Sequence, residues 1–147
     1  MNTFLKSYAL VNQKGGAART YVALAGNRVA AYYSLAPTSV EPADAPGRIA
    51  KGQPRHPIPC ILLARLAVDQ SFQGQGLGKF LFRDALIRSL RAHELVGGRA
   101  FLVHAKDDEA AAFYAKYGML PSPTHPNHLY LLFKDIHRPC CKQLPPL

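Results

Sequence analysis

The residues best placed for chemistry lie in Leu66-Ala67-Val68-Asp69-Gln70-Ser71-Phe72-Gln73-Gly74-Gln75-Gly76-Leu77-Gly78-Lys79. The run reads as a strand, a turn with glycines at alternate positions, and the start of a helix. With no Cβ in the way, Gly74, Gly76 and Gly78 let the backbone approach a ligand closely. A helix starting there aims unpaired N–H groups and the positive end of its dipole at the turn. The natural guest is a phosphate or pyrophosphate. The turn lacks the Gly-Lys-Ser/Thr ending of a P-loop. It also makes a poor dinucleotide fingerprint, because Arg99 to Ala105 offers no acidic residue at the end of the next strand.

Other reactive side chains read more blandly on spacing alone. Tyr114 and Tyr117 sit in a helical stretch where either could be a core aromatic. Arg65 interrupts an apolar strand, so it is either paired internally or reaches into a cleft. His104 reads as a satisfied core histidine before a base, and Asp107, Asp108 and Glu109 first as acids favoured by the dipole of the helix they open, with a general-base role for one of them the alternative. The three cysteines, Cys60, Cys140 and Cys141, match no metal-ligand spacing and read as free thiols of a reducing cytoplasm.

These residues need a scaffold, and the apolar periodicity supplies one. Residues 2 to 13 carry a helical stripe ended by Gly15-Gly16. Thr20 to Leu24 and Arg28 to Leu35, joined at Gly26-Asn27, form a β-hairpin. Residues 37 to 59, with Pro37, Pro42, Pro46, Pro54, Pro57 and Pro59, read as a long cationic loop. Cys60 to Val68 reads as a central strand covered on both faces, and a helix with Leu77, Leu81 and Ala85 on its buried side runs on to Gly97-Gly98. A buried strand at 99–105, a helix stopping at Tyr117-Gly118 and a last strand at 128–133 complete the order, with residues 138–147 as a frayed tail. The class is α/β: one domain over 1–137, a mixed central sheet flanked by helices, with strands 60–68 and 99–105 parallel because a helix joins them.

Eighteen Lys and Arg against nine Asp and Glu give a net charge of +9, which favours a polyanionic partner. No apolar run approaches the ~20 residues of a membrane span, and the N-terminus lacks the build of a signal peptide. The expected setting is the cytoplasm.

Gln73-Gly74-Gln75-Gly76-Leu77-Gly78 resembles the Gln/Arg-x-x-Gly-x-Gly/Ala turn of the GNAT N-acetyltransferases. Leu66-Ala67-Val68 is similar to that family's splayed strand, and Ala112-Phe113-Tyr114-Ala115-Lys116-Tyr117-Gly118-Met119 to its final helix. The resemblance implies the GNAT fold and acetyl-coenzyme A as co-substrate, with no metal. The amides of Gln73 to Lys79 would hold the pyrophosphate and the backbone of Leu66, Ala67 and Val68 the pantetheine arm. It further implies that the Val68 amide serves the oxyanion and that Tyr114 gives a proton to the departing thiolate, with Tyr117 packing.

Longer phrases narrow the likeness. Tyr8 to Val22, Arg65-Leu66-Ala67-Val68-Asp69, Leu102-Val103-His104-Ala105 and Pro121-Ser122-Pro123 resemble the GNAT toxins of type II toxin–antitoxin pairs. Such toxins acetylate the α-amino group of aminoacyl-tRNA, pair with a ribbon-helix-helix antitoxin and often dimerise. On that reading the tRNA contacts would be Lys6, Lys14, Arg19, Arg48, Lys51, Arg55, Arg65 and Arg83, with Lys79 beside the cofactor turn. The family usually carries a strand before the helix that begins here near Asn2, so the fold's first strand is expected to be absent and one sheet edge less covered. Two rivals are an acetyltransferase of a protein or small amine, and a coenzyme A-binding module without catalysis.

Overall fold

A computed structural model describes residues 14–136. The opening helix read over 2–13, Lys6, and the tail at 138–147 lie outside the described residues.

A six-stranded mixed sheet runs in the order β1-β2-β3-β4-β6-β5. Its strands are β1 (Arg19–Ala25), β2 (Arg28–Val40), β3 (Ile58–Val68), β4 (Ala100–His104), β5 (Leu120–Pro121) and β6 (His128–Leu132). The helices are α1 (Gly47–Ala50), α2 (Leu77–Val96) and α3 (Asp108–Ala115), with a last helical turn at Phe133–Asp135. β3 and β4 are parallel, as their connection through α2 requires, while the other pairs are antiparallel.

The stretch 37–59 is not one loop. β2 continues to Val40, paired through Val40 with Ile58. A 3-10 turn at Pro42–Asp44 and α1 then cross one face of the sheet. Pro37 fits in β2 because the β1–β2 ladder stops at Arg19↔Leu35, so past that point β2 forms an edge among the described residues. The prolines hid the strand, because a run without period and rich in proline reads as loop.

Alternation along the strands divides the core in two. Phe101, Val103, Leu63 and Tyr33 meet the buried sides of α2 and α3 on one face. Ala100, Leu102, Cys60 and Tyr130 meet Ala45 and Ile49 on the other. The second layer is pinned by Arg99, whose guanidinium donates to the carbonyls of Arg48, Ile49 and Lys51 at 3.0 to 3.3 Å. α2 is anchored to the hairpin through Asp84, which accepts from the Tyr33 hydroxyl and, at 3.1 Å, from Arg88 Nε. The Arg88 guanidinium lies 4.1 Å over the Tyr21 ring, which itself stacks on Tyr33 at 5.1 Å. That clamp fixes the direction in which the start of α2 points.

Candidate active site

β3 and β4 share register only from Cys60↔Ala100 to Leu63↔Val103. From Ala64 onward β3 stays with β2 and leaves β4, opening a splay in the middle of the sheet. Cys60 and Leu63 are buried as a central strand demands, whereas Ala64 and Arg65 are exposed. The expectation of a strand covered on both faces therefore fails in its second half.

The register also fixes where the β3 backbone points. Asp69 N–H donates to the Ala30 carbonyl at 2.8 Å, so the pair Val68↔Ala31 is a non-hydrogen-bonded one. The N–H and C=O of Val68, and two residues earlier those of Leu66, consequently point away from β2 and into the splay. The Val68 carbonyl accepts from the Gln73 side chain at 3.2 Å, which ties the turn to the strand it follows. Asp69 caps the intervening 3-10 turn, accepting from Ser71 N–H at 2.9 Å. That backbone bond, with Arg28 nearby, holds the Asp69 carboxyl below the usual carboxylate range.

Gly74 and Gly76 adopt φ of +81° and +78°, and a Cβ at either would meet nothing within 4 Å. The left-handed backbone and the open space are both what a close ligand approach needs. Gly76 is the N-cap of α2; no side chain caps that end and no acid stands in its first turn. The first amides of α2 thus keep their donors, and its positive end is uncompensated by the chain.

One pocket joins these parts. It is lined by Leu66, Ala67 and Val68, by Gln73, Gly74, Gly76, Leu77 and Gly78, and by Tyr114 from α3. Tyr114 is 6% exposed, with its ring edge-on to Phe82 at 5.3 Å and to Phe113 at 5.1 Å. Burial pushes its phenol up to about 12. Tyr117 packs on Phe82 and Phe113 and does not line the pocket. Gln75 and Lys79 are exposed and outside the lining.

The basic residues do not gather there. Arg65 is exposed and lines the pocket, so it reaches the cleft, where its charge also acts on the Tyr32 hydroxyl. Arg48 is engaged elsewhere, in a bidentate pair with Asp135 at 2.9 Å. Lys51 and Arg55 are exposed beside the N-terminal end of β3, roughly 30 Å from its pocket end at ~3.3 Å per residue. Arg19 is exposed at the start of β1 and Lys14 is exposed ahead of it, and Arg83 is half-buried, its Nη1 without a hydrogen-bond partner among the described residues.

Two residues stand otherwise than their first reading. His104 is exposed and lines the pocket, so it is not a core histidine. Its side chain follows the alternation of β4 to the end of the sheet, where the His128 ring of β6 stacks on it. Glu109 also reaches the lining, while Asp107 caps α3 by accepting from Ala110 N–H at 2.8 Å. Among the described residues no cluster of His, Cys, Asp or Glu is arranged to hold a metal ion, and no helix is long and apolar enough to cross a membrane.

A family model described as an acetyltransferase (GNAT) domain matches residues 16–118. The chain is 48% identical over 135 residues to a tRNA-acetylating toxin of Mycobacterium tuberculosis, an alignment covering 92% of this chain and 81% of that one. A structure of AtaT complexed with acetyl-methionyl-tRNAfMet superposes with a TM-score of 0.82 at 31% identity, covering 92% of this chain and 82% of the other. A structure of an AtaT mutant toxin bound to the C-terminus of the antitoxin AtaR and acetyl-CoA superposes at 0.75 with 29% identity, covering 92% and 80%.

Proposed function

Because the chain belongs to the GNAT acetyltransferase family, we propose that it is a toxin that acetylates the α-amino group of aminoacyl-tRNA and so blocks translation. The observation that carries this reading is the likeness, along nearly the whole chain, to a tRNA-acetylating toxin. The pocket geometry agrees with the chemistry it demands.

The residues present fit acetyl-coenzyme A as co-substrate. The open positive-φ glycines and the uncapped first turn of α2 suit its pyrophosphate. The outward backbone of Leu66 suits an amide of its pantetheine arm, which leaves the Val68 N–H for the thioester. When bound, it supplies the acyl thioester. The Val68 N–H donates to the thioester carbonyl oxygen as negative charge develops there. Tyr114 donates its hydroxyl proton toward the sulfur as the C–S bond breaks and the N–C bond forms. The attacking amine needs no strong protein base: α-amino groups titrate near ~7.7–8.0, and the ester of an aminoacyl-tRNA lowers that further. Its excess proton leaves to solvent, from which Tyr114 is reprotonated.

For the polyanionic substrate, Lys14, Arg19, Lys51, Arg55, Arg65 and Arg83 serve as phosphate contacts, spread along the molecule. The toxin works in the cytoplasm, pairs with a ribbon-helix-helix antitoxin and forms a homodimer. The test is to incubate the protein with acetyl-coenzyme A and charged tRNA and to analyse the released aminoacyl adenosine by mass spectrometry. An added acetyl group is expected; acetylation confined to peptides or small amines would overturn the tRNA reading.

A further inference from the structure

His104 and His128 stand directly opposite each other in the β4–β6 ladder. Their rings stack with centroids 3.8 Å apart and planes 17° from parallel. His125 continues the stack onto His128 at 4.6 Å and 10°. The far end of this ladder is fixed. His125 Nδ1 lies 2.9 Å from Thr124 Oγ1, which donates to Asp44 Oδ1 at 2.7 Å. Ser122 Oγ accepts from the backbone N–H groups of Thr124 and His125 at 3.2 Å and donates to the Asp44 carbonyl. Nothing in the acetyl-transfer chemistry uses these three rings.

The near end of the ladder is open. His128 covers one face of the His104 ring, on the β6 side; the other side of β4 is the splay. His104 lines the pocket there, with Arg65 on the opposite bank. Alternation along β4 puts Phe101 and Val103 in the core under α2 and α3, and Ala100 and Leu102 in the other. His104 therefore projects from the face opposite the helix that carries Tyr114. An amine approaching from that face would meet a thioester bound in the splay.

We propose that the His104–His128–His125 ladder is a stacking platform for the terminal nucleobase of the acceptor strand, seated on the open face of His104. The inference rests on the reading that the second substrate is aminoacyl-tRNA. Bases of single-stranded ends are held on flat aromatic and histidine rings. This one is pre-organised, because each ring is already backed by the next. Burial, together with the neighbouring rings, pushes the His104 and His128 imidazoles down, Asp44 opposing at His128, which favours the uncharged form at those two rings. The aminoacyl ester is one ribose away from the base so held, which sets the amine over the splay.

The test measures steady-state kinetics and the fluorescence of a tRNA carrying 2-aminopurine in place of its terminal adenine. His104→Ala raises KM for aminoacyl-tRNA roughly tenfold, the size expected for one lost stacking contact. It leaves KM for acetyl-coenzyme A alone and moves kcat much less. His104→Phe, which keeps a flat ring and removes both ring nitrogens, restores KM. The 2-aminopurine signal is quenched by wild type and by His104→Phe, and less by His104→Ala. Acetyl-coenzyme A titration reports folding, and His104→Gln gives the same readouts if the alanine variant is unfolded. Equal quenching and equal KM in all variants overturn the platform while leaving the tRNA reading intact. A collapse of kcat in both the alanine and phenylalanine variants makes His104 a proton acceptor and also overturns it. Failure of wild type to acetylate any charged tRNA removes the substrate reading, and the platform with it.

Discussion

Among the described residues the Tyr114 ring is held by packing: Phe82 and Phe113 fix it, and burial pushes its phenol up to about 12. A phenol so placed stays protonated through the whole physiological range, as the proposed proton donor must, so its ionisation leaves no mark on the rate there. Tyr114→Phe keeps the ring and its edge-on contacts and removes only the hydroxyl. The expected result is a loss of kcat of order 10²–10⁴-fold, with the thermal midpoint and KM for acetyl-coenzyme A little changed. Single-turnover acetylation of charged tRNA measures it, and equal rates would end the role assigned to Tyr114. The histidine ladder makes a separate prediction about stability. His104 and His128 are both depressed below the ordinary histidine value of ~6.5, chiefly by burial and then by the neighbouring rings, with Asp44 opposing at His128. As pH falls the unfolded chain takes up these protons first. Their contribution is therefore full above ~6.5 and is lost as pH falls through the folded values. Melting followed from pH 8 to pH 5 should show a falling midpoint, and His104→Phe with His128→Phe should flatten that slope. An unchanged slope in the double variant would place the acid sensitivity elsewhere.

The element that does most for the site is the turn between β3 and α2, and two of its glycines should behave oppositely. Gly76 sits at φ +78°, so an alanine there strains the backbone by about 1 kcal/mol and puts a methyl into space the cofactor would need. Gly78 is within the helix, and its added methyl would meet only Val68 Cγ2 at an ordinary 3.8 Å. Gly76→Ala should lower stability and raise KM for acetyl-coenzyme A several-fold. Gly78→Ala should hold KM and stabilise by about 0.5 kcal/mol through helix propensity. Denaturant melts with cofactor titrations distinguish the two, and equal effects would refute this account of the turn. The strand–turn–helix and the helix carrying Tyr114 were legible in the sequence because each is written in consecutive residues: glycine spacing, an apolar run, a helical stripe. What was not legible depends on register between distant segments. That His104 meets His128 follows from β4 pairing with β6, and nothing in Arg99 to Ala105 announces it. Arg48 is taken up by Asp135, 87 residues away. The splay itself is a place where pairing stops, which periodicity cannot report. Pro37 hid the end of β2 for a related reason, since a proline is tolerated only where the ladder with the neighbouring strand has stopped.

At the scale of the whole molecule, the +9 charge is the feature that acts over distance. Each cation in contact with a phosphate releases counterions, so binding of tRNA should weaken linearly with log salt concentration. The basic residues differ in how they can take part. Lys51 and Arg55 are exposed beside the N-terminal end of β3, on the stretch that α1 leads into. An acceptor stem entering the splay would have to run along the face crossed by α1 to reach them. Arg48 is turned instead toward Asp135, where a bidentate pair ties α1 to the last helical turn. Neutralising Lys51 and Arg55 to Gln should therefore lower the log–log salt slope by about 1 for each lost contact, with stability unchanged. Arg48→Gln should leave the slope alone and cost about 0.5–1 kcal/mol of stability, the range for a partly exposed ion pair. Filter binding of charged tRNA between low and physiological salt, alongside denaturant melts, separates the two outcomes. A slope that falls for Arg48→Gln but not for the Lys51 and Arg55 variants would mean that the stem lies across α1 and displaces Asp135 from its partner.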